Sequence, residues 1–364
     1  MNKNLILTAL MALPLLLSSC MDNDSSYHGF SSVSLSGAYA NPSEGYLAFV
    51  ALGSWKITQT SGTEDWYTLG LTEGDGGYYY AIHVDFAGNT TGSYRTTSVR
   101  IQDTGDSDTY FTATLIQYGT RADGALGSAP NVSNISGDDG SEIDIEYDDY
   151  WRPTYLGMTI DGTLKHSLNI SYDTTDSLIT VKSTAADNLT GSYTTGFLPA
   201  DYLISETDTV GYYDAGSVTS GGGVQVKVEY HKSSGEQYGS SLLYISQSFS
   251  TDDEHVADSL KFHHTYASTD DRDVVNEALA CTYSDVSNRN TSVDVNQLLF
   301  GADECNPYLL LGMFRNMRCS YVLSKAKGSD GSYTVSTETN SDGSISEMTV
   351  TDKDGETVTY TFTY

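Results

Sequence analysis

The chain has 364 residues, long enough for two or three domains, and only 18 Lys and Arg stand against 48 Asp and Glu. The formal net charge of -30 excludes nucleic-acid phosphates and anionic lipid headgroups as partners, because both would be repelled. Helix formers are scarce, while 28 Tyr and 34 Gly with abundant Ser and Thr point to strands joined by tight turns. A mainly β protein is expected.

Residues 1–20 carry Lys3, then an almost unbroken apolar run from Leu5 to Leu17, then Ser18-Ser19-Cys20. This is signal-peptide architecture, too short to span a bilayer as a stable helix. Leu17-Ser18-Ser19-Cys20 resembles a bacterial lipobox. The resemblance implies cleavage before Cys20, lipidation of that cysteine and membrane attachment through the lipid alone. Two or more acyl chains hold firmly, since each buried methylene contributes about 0.8 kcal/mol. Residues 21–32 are polar and acidic without hydrophobic periodicity, which reads as a tether. Acidic residues just after the lipidated cysteine resemble the export signal of Bacteroidetes lipoproteins, implying the outer membrane and a cell-exterior face.

Residues 33–121 show short alternating strands. Tyr80, Ile82, Val84 and Phe86 share one face, and Ala81, His83 and Asp85 take the other. Val99 with Ile101, and Phe111, Ala113 and Leu115, repeat the pattern. Trp55-Lys56-Ile57, Asp65-Trp66-Tyr67, the glycines around Gly74-Asp75-Gly76-Gly77, Asn89, Arg95, Val99-Arg100-Ile101 and Leu115-Ile116-Gln117 follow in order. This series resembles a BACON domain, the Bacteroidetes-associated carbohydrate-binding often N-terminal family, and implies an immunoglobulin-like β-sandwich. The family name implies polysaccharide or glycoprotein glycans as partners. Trp55 and Trp66 fall where core packing is expected. Tyr67, Tyr78, Tyr79 and Tyr94, beside turns, are the candidate glycan contacts, because an exposed aromatic face can stack on a sugar ring. The same tyrosines would also suit plain edge strands, and the sandwich a spacer.

Residues 122–141 are small, polar and aperiodic, the pattern of a linker. From 142 to 364 alternation returns in Ile143, Ile145 and Tyr147, in Leu168, Ile170 and Tyr172, in Val224 to Tyr230 and in Val358 to Tyr364. The dipeptides Asp161-Gly162, Asp342-Gly343 and Asp354-Gly355 predict tight hairpins. Glu146-Tyr147-Asp148-Asp149 with Arg152-Pro153, Tyr172-Asp173, the stretch Ser292 to Leu299 and the terminal hairpin resemble a Bacteroidetes lipoprotein family of unknown function built from Tyr-Asp hairpins. The implied fold is a larger antiparallel β-rich module with a few short helices. Helices are expected through Val274, Val275, Ala278 and Leu279, through Val295, Leu298 and Leu299, and from Pro307 to Met313.

If Cys20 carries lipid, Cys281, Cys305 and Cys319 are an odd set that allows at most one disulfide, with the pairing open. No nucleophile elbow, phosphate loop, paired-Cys metal motif or His-Glu-x-x-His is present, so neither an enzyme nor a cofactor is expected. Asp252-Asp253-Glu254-His255 with His263-His264, and Asp103, Asp106 and Asp108, read as solvated acidic loops, not metal sites. The expected protein is a non-enzymatic surface lipoprotein that binds glycans. The rival expectation is a spacer carrying a protein-binding or adhesin-like module.

Overall fold

A computed structural model describes residues 30–35, 38–61, 66–173, 178–185, 189–196, 210–214, 222–231, 237–249, 257–267, 275–303, 305, 307–313 and 318–364. Residues 1–29, Cys20 among them, lie outside the described residues, as do Asp252 to His255. The chain divides into two units, one of residues 1–89 and 93–119, the other of 90–92 and 120–364.

The first unit is a sandwich of two antiparallel sheets. Its strands are β1 (Phe30–Leu35), β2 (Ser43–Ala51), β3 (Trp55–Ser61), β4 (Tyr67–Leu69), β5 (Glu73–Gly74), β6 (Tyr78–Phe86), β7 (Arg95–Asp103) and β8 (Tyr110–Gln117). One sheet runs β1-β2-β6-β4 and the other β5-β3-β7-β8. The expected alternation is what fills the space between them: Leu47 and Phe49 from β2, Ile82, Val84 and Phe86 from β6, Val99 and Ile101 from β7, and Ala113 and Leu115 from β8 are all buried. Trp55 and Trp66 belong to this core, and Trp55 packs edge-on against Phe49 at 4.9 Å. Buried Gln117 ties the sheets' ends, donating to the carbonyls of Tyr39 and Ala87 while accepting from Arg95 Nε.

In the second unit the strands are β9 (Asn134–Gly137), β10 (Ser141–Tyr147), β11 (Pro153–Ile160), β12 (Thr163–Asp173), β13 (Leu178–Ala185), β14 (Leu189–Gly196), β15 (Val210–Asp214), β16 (Gly222–His231), β17 (Gln237–Phe249), β18 (Ala257–Ala267), β19 (Val275–Ser287), β20 (Tyr321–Lys327), β21 (Ser332–Thr339), β22 (Ile345–Thr351) and β23 (Thr357–Thr363). They form one antiparallel sheet ordered β14-β13-β12-β11-β10-β9-β23-β22-β21-β20-β19-β18-β17-β16-β15. Most neighbours are consecutive hairpins, and the terminal strand β23 closes against β9. A single residue pair, Thr190 with His231, also brings β14 to β16.

The alternating strands expose Glu142, Asp144 and Glu146 on one side of β10 and bury Ile143 and Ile145 on the other. Leu156, Met158, Leu168, Met348, Tyr360 and Phe362 continue the buried face. Over it pack a 3₁₀ turn, Val295–Phe300, and a short helix, Pro307–Leu310, through Leu298, Leu299, Leu309 and Leu310. Both short helices match the expectation. The helix expected through Val275 and Leu279 does not form: those residues belong to β19, paired with β18. The stretch expected to link the domains, 122–141, packs within the second unit, burying Ala125, Val132 and Ile135 and supplying β9. All three hairpin glycines have positive φ, at 73° for Gly162, 84° for Gly343 and 88° for Gly355, as the tight turns require.

A buried polar network holds the loop between β19 and the 3₁₀ turn. The Arg318 guanidinium donates to the carbonyls of Asp123, Ser292, Asn288, Thr291 and Val293. Asp294 caps the 3₁₀ turn, accepting from Asn296 N at 3.2 Å, from Asn288 Nδ2 at 2.7 Å and from Gln297 Nε2 at 3.1 Å. Burial pushes its carboxyl above the usual carboxylate range, against the opposing pull of Arg318 and these donors.

Candidate functional site

The strands β2 and β6 pair over their full length, with Glu44 opposite Asp85, Tyr46 opposite His83 and Val50 opposite Tyr79. Because Leu47, Phe49, Ile82 and Val84 point into the core, these residues point away from it. Glu44, Tyr46, His83 and Asp85 therefore form a contiguous outer patch on two well-anchored strands. His83 Nε2 lies 3.2 Å from a Glu44 carboxylate oxygen and Nδ1 lies 3.5 Å from Asp85. The Tyr46 and His83 rings meet edge to face at 5.5 Å. Tyr46 is 56% exposed, and Tyr79, four residues before His83 on the same face, is 64% exposed. Along a strand that separation is about 13 Å. The patch offers two aromatic faces and, opposite Tyr46 and on its side away from Tyr79, an imidazole and carboxylate acceptors that can bond to hydroxyl groups. Among the described residues, Glu44, His83 and Asp85 are also the one group of three acidic, His or Cys side chains whose donor atoms gather closely, all within 4.8 Å of one another.

The four tyrosines singled out in the sequence do not converge. Tyr78 and Tyr79 are neighbours in β6 and so face opposite ways; Tyr78 is exposed because it lies at the strand's first residue, beyond the core. Tyr67 is half-buried, edge-on to Trp66 at 5.3 Å, and helps cover the core. Tyr94 is exposed, but it precedes Arg95, whose guanidinium reaches the carbonyl of Ala87 just past the far end of β6. Some nine residues of strand, about 26 Å, separate that end from Tyr78. Only Tyr79 shares the patch. The sequence pattern did put His83 and Asp85 on one face, but the β2 residues opposite them, Glu44 and Tyr46, carried no recognisable signal because register is a tertiary property.

Other candidates resolve more simply. Asp103 and Asp106 spend their carboxylates on the turn they occupy: Asp103 Oδ1 accepts from the backbone of Gly105 and Asp106, and Asp106 accepts from Asp108 N and Thr109 Oγ1. His263 and His264 are adjacent in β18, opposite Tyr244 and Leu243. Cys281, Cys305 and Cys319 are all free thiols, so no disulfide forms among them. Burial pushes the Cys305 thiol far up, which makes it inert. No helix among the described residues is long and apolar enough to cross a membrane.

No protein-family model matches the chain, and no curated protein matches it. Among solved structures it is similar to a Bacteroides ovatus GH5 xyloglucanase in complex with a XXXG heptasaccharide, at 18% identity and a TM-score of 0.20. That likeness covers 24% of this chain and 19% of the enzyme, so the chain spans about a fifth of that protein. It is also similar to a porin-like protein from Bacteroides uniformis ATCC 8492, at 12% identity and a TM-score of 0.28, over 86% of this chain and 97% of the other.

Proposed function

We propose that the protein is a non-enzymatic lipoprotein, anchored through Cys20 to the outer membrane and facing the cell exterior, that binds glycans of polysaccharides or glycoproteins. The sandwich takes the ligand on the outer face of β2 and β6. The observation that carries the reading is the joint exposure of Tyr46 and Tyr79 on the face that also presents Glu44, His83 and Asp85. Flat aromatic surface for the apolar side of a sugar ring, with fixed polar groups for its hydroxyls, is the combination that carbohydrate recognition uses. The BACON-like order of residues in the sequence supports the same reading.

The test is glycan-array binding by the full chain purified in detergent, followed by titration of the best ligand. Tyr46→Ala and Tyr79→Ala should each weaken binding about tenfold, equivalent to about 1.4 kcal/mol, while Tyr94→Ala leaves it unchanged. Equal affinity in all three variants would remove the patch from the function. The second reading, a spacer with a protein-binding module, is favoured by the scatter of Tyr67, Tyr78 and Tyr94 over different faces and ends of the sandwich. It predicts no glycan binding by the full chain.

A further inference from the structure

We propose that Glu44 and His83, with Asp85 orienting the imidazole, bind a divalent first-row transition ion, of which Zn²⁺ is the natural probe, on the outer face of β2 and β6. The inference does not depend on glycan binding, since it concerns the ion alone.

Glu44 and Asp85 stand directly opposite each other in the ladder, where like charges are destabilising. The next residues on that face, Tyr46, Ala81 and Thr68, supply no cation. Only the His83 ring lies between the carboxylates, with Nε2 toward Glu44 and Nδ1 toward Asp85. A divalent ion on Nε2 would offset both carboxylate charges. It takes the Nε2 lone pair together with the Glu44 oxygen, and it leaves Nδ1, as an N–H, facing Asp85. A carboxylate holding the second ring nitrogen of a metal-bound histidine is the usual way such a ligand is oriented.

The dimensions agree. Two ligands at about 2.1 Å from a tetrahedral ion are about 3.4 Å apart, against 3.2 Å between Nε2 and the Glu44 oxygen. Asp85 stays on the far side of the ring, its oxygen 3.5 Å from Nδ1, and serves as the outer-shell partner that orients the histidine. Water completes the shell on the exposed side. Imidazole selects zinc, copper or nickel over calcium and magnesium, which prefer all-oxygen shells. The backbone needs no rearrangement, because both strands are fixed by inward neighbours in the core. The net charge of -30 raises the local cation concentration.

Isothermal titration of the metal-stripped full chain in detergent with ZnCl₂, no saccharide present, tests the proposal. The chain has 7 His, so the readout is the difference between variants. Wild type should show one saturable equivalent that His83→Gln lacks and that Glu44→Gln binds at least about tenfold more weakly; CaCl₂ should give no such equivalent. The three side chains are 35–56% exposed, so the variants should unfold at the wild-type temperature, which melting checks. Zinc binding by His83→Gln with unchanged stoichiometry and affinity would overturn the proposal, as would calcium binding as tightly as zinc, or no zinc binding by wild type. Repeating the glycan titration with EDTA separates the two readings: sugar binding that survives EDTA leaves the glycan function standing whatever the metal result.

Discussion

Trp151 sits at φ 61°, in the left-handed region that an L side chain enters at a cost of about 1–2 kcal/mol. It closes the β10–β11 turn, where Trp151 N donates to the Asp148 carbonyl at 3.0 Å and Asp148 N donates to the Arg152 carbonyl at 3.0 Å. Asp148 reinforces the turn by accepting from the backbone of Tyr150 and Arg152 and pairing with the Arg152 side chain at 2.7 Å. Such a position usually holds glycine. The indole compensates: the Arg121 guanidinium lies 5.6 Å from its ring and donates to the Trp151 carbonyl at 2.9 Å, while pairing with Asp123 at 2.8 Å. Trp151→Ala and Trp151→Gly both lose the ring, but only glycine also relieves the backbone. In strands glycine is ordinarily the less stable of the two. Here urea denaturation should show the reverse, with Trp151→Gly about 1 kcal/mol more stable than Trp151→Ala; the ordinary order would show that the backbone at 151 is not strained. Glu146 to Arg152 was noticeable in the sequence as a Tyr-Asp hairpin, but nothing there linked it to Arg121, thirty residues earlier.

Hairpins were the most legible elements, because a tight turn is a local decision made by two residues. Asp342-Gly343 and Asp354-Gly355 look equivalent in sequence, and both glycines have positive φ. Their surroundings differ. A Cβ on Gly355 meets nothing within 4 Å, whereas one on Gly343 falls 2.7 Å from Asn290 Nδ2, which itself donates to the Gly343 carbonyl. Gly355→Ala should therefore cost only the left-handed penalty of about 1–2 kcal/mol. Gly343→Ala should cost at least about 1 kcal/mol more, because it also displaces the Asn290 bond. Equal losses in chemical denaturation would mean that Asn290 swings away freely. Alternation likewise announced β6, β10 and β23, whose buried and exposed residues follow the period of two. It misled at β19, where Val275, Ala278 and Leu279 recur at helical spacing yet lie in a strand. Pairing with β18 on one side and β20 on the other outweighs a local preference of that size. The linker expected over 122–141 failed for the same kind of reason: its composition is loop-like, but Val132 and Ile135 are called into the core by partners far along the chain.

The two units carry separate hydrophobic cores, one around Trp55, Ile101 and Leu115 and the other around Leu156, Leu298 and Tyr360. If each core is a cooperative unit of its own, calorimetry of the full chain should resolve two transitions, and a cavity made in one core should move only that core's transition. Ile101→Ala and Leu156→Ala are matched probes, both fully buried at 0% exposure. Each should cost about 3 kcal/mol. The shifts should nonetheless differ, because the entropy of unfolding scales with size. About 3 kcal/mol moves a domain of the first unit's size by about 10 °C or more, and a body twice as large by about half that. Ile101→Ala should thus lower one transition by the larger amount and leave the other in place, with Leu156→Ala doing the converse on the smaller scale. Movement of both transitions by either variant would show that the units unfold as one, and the outer face of β2 and β6 would then depend for its stability on the whole chain.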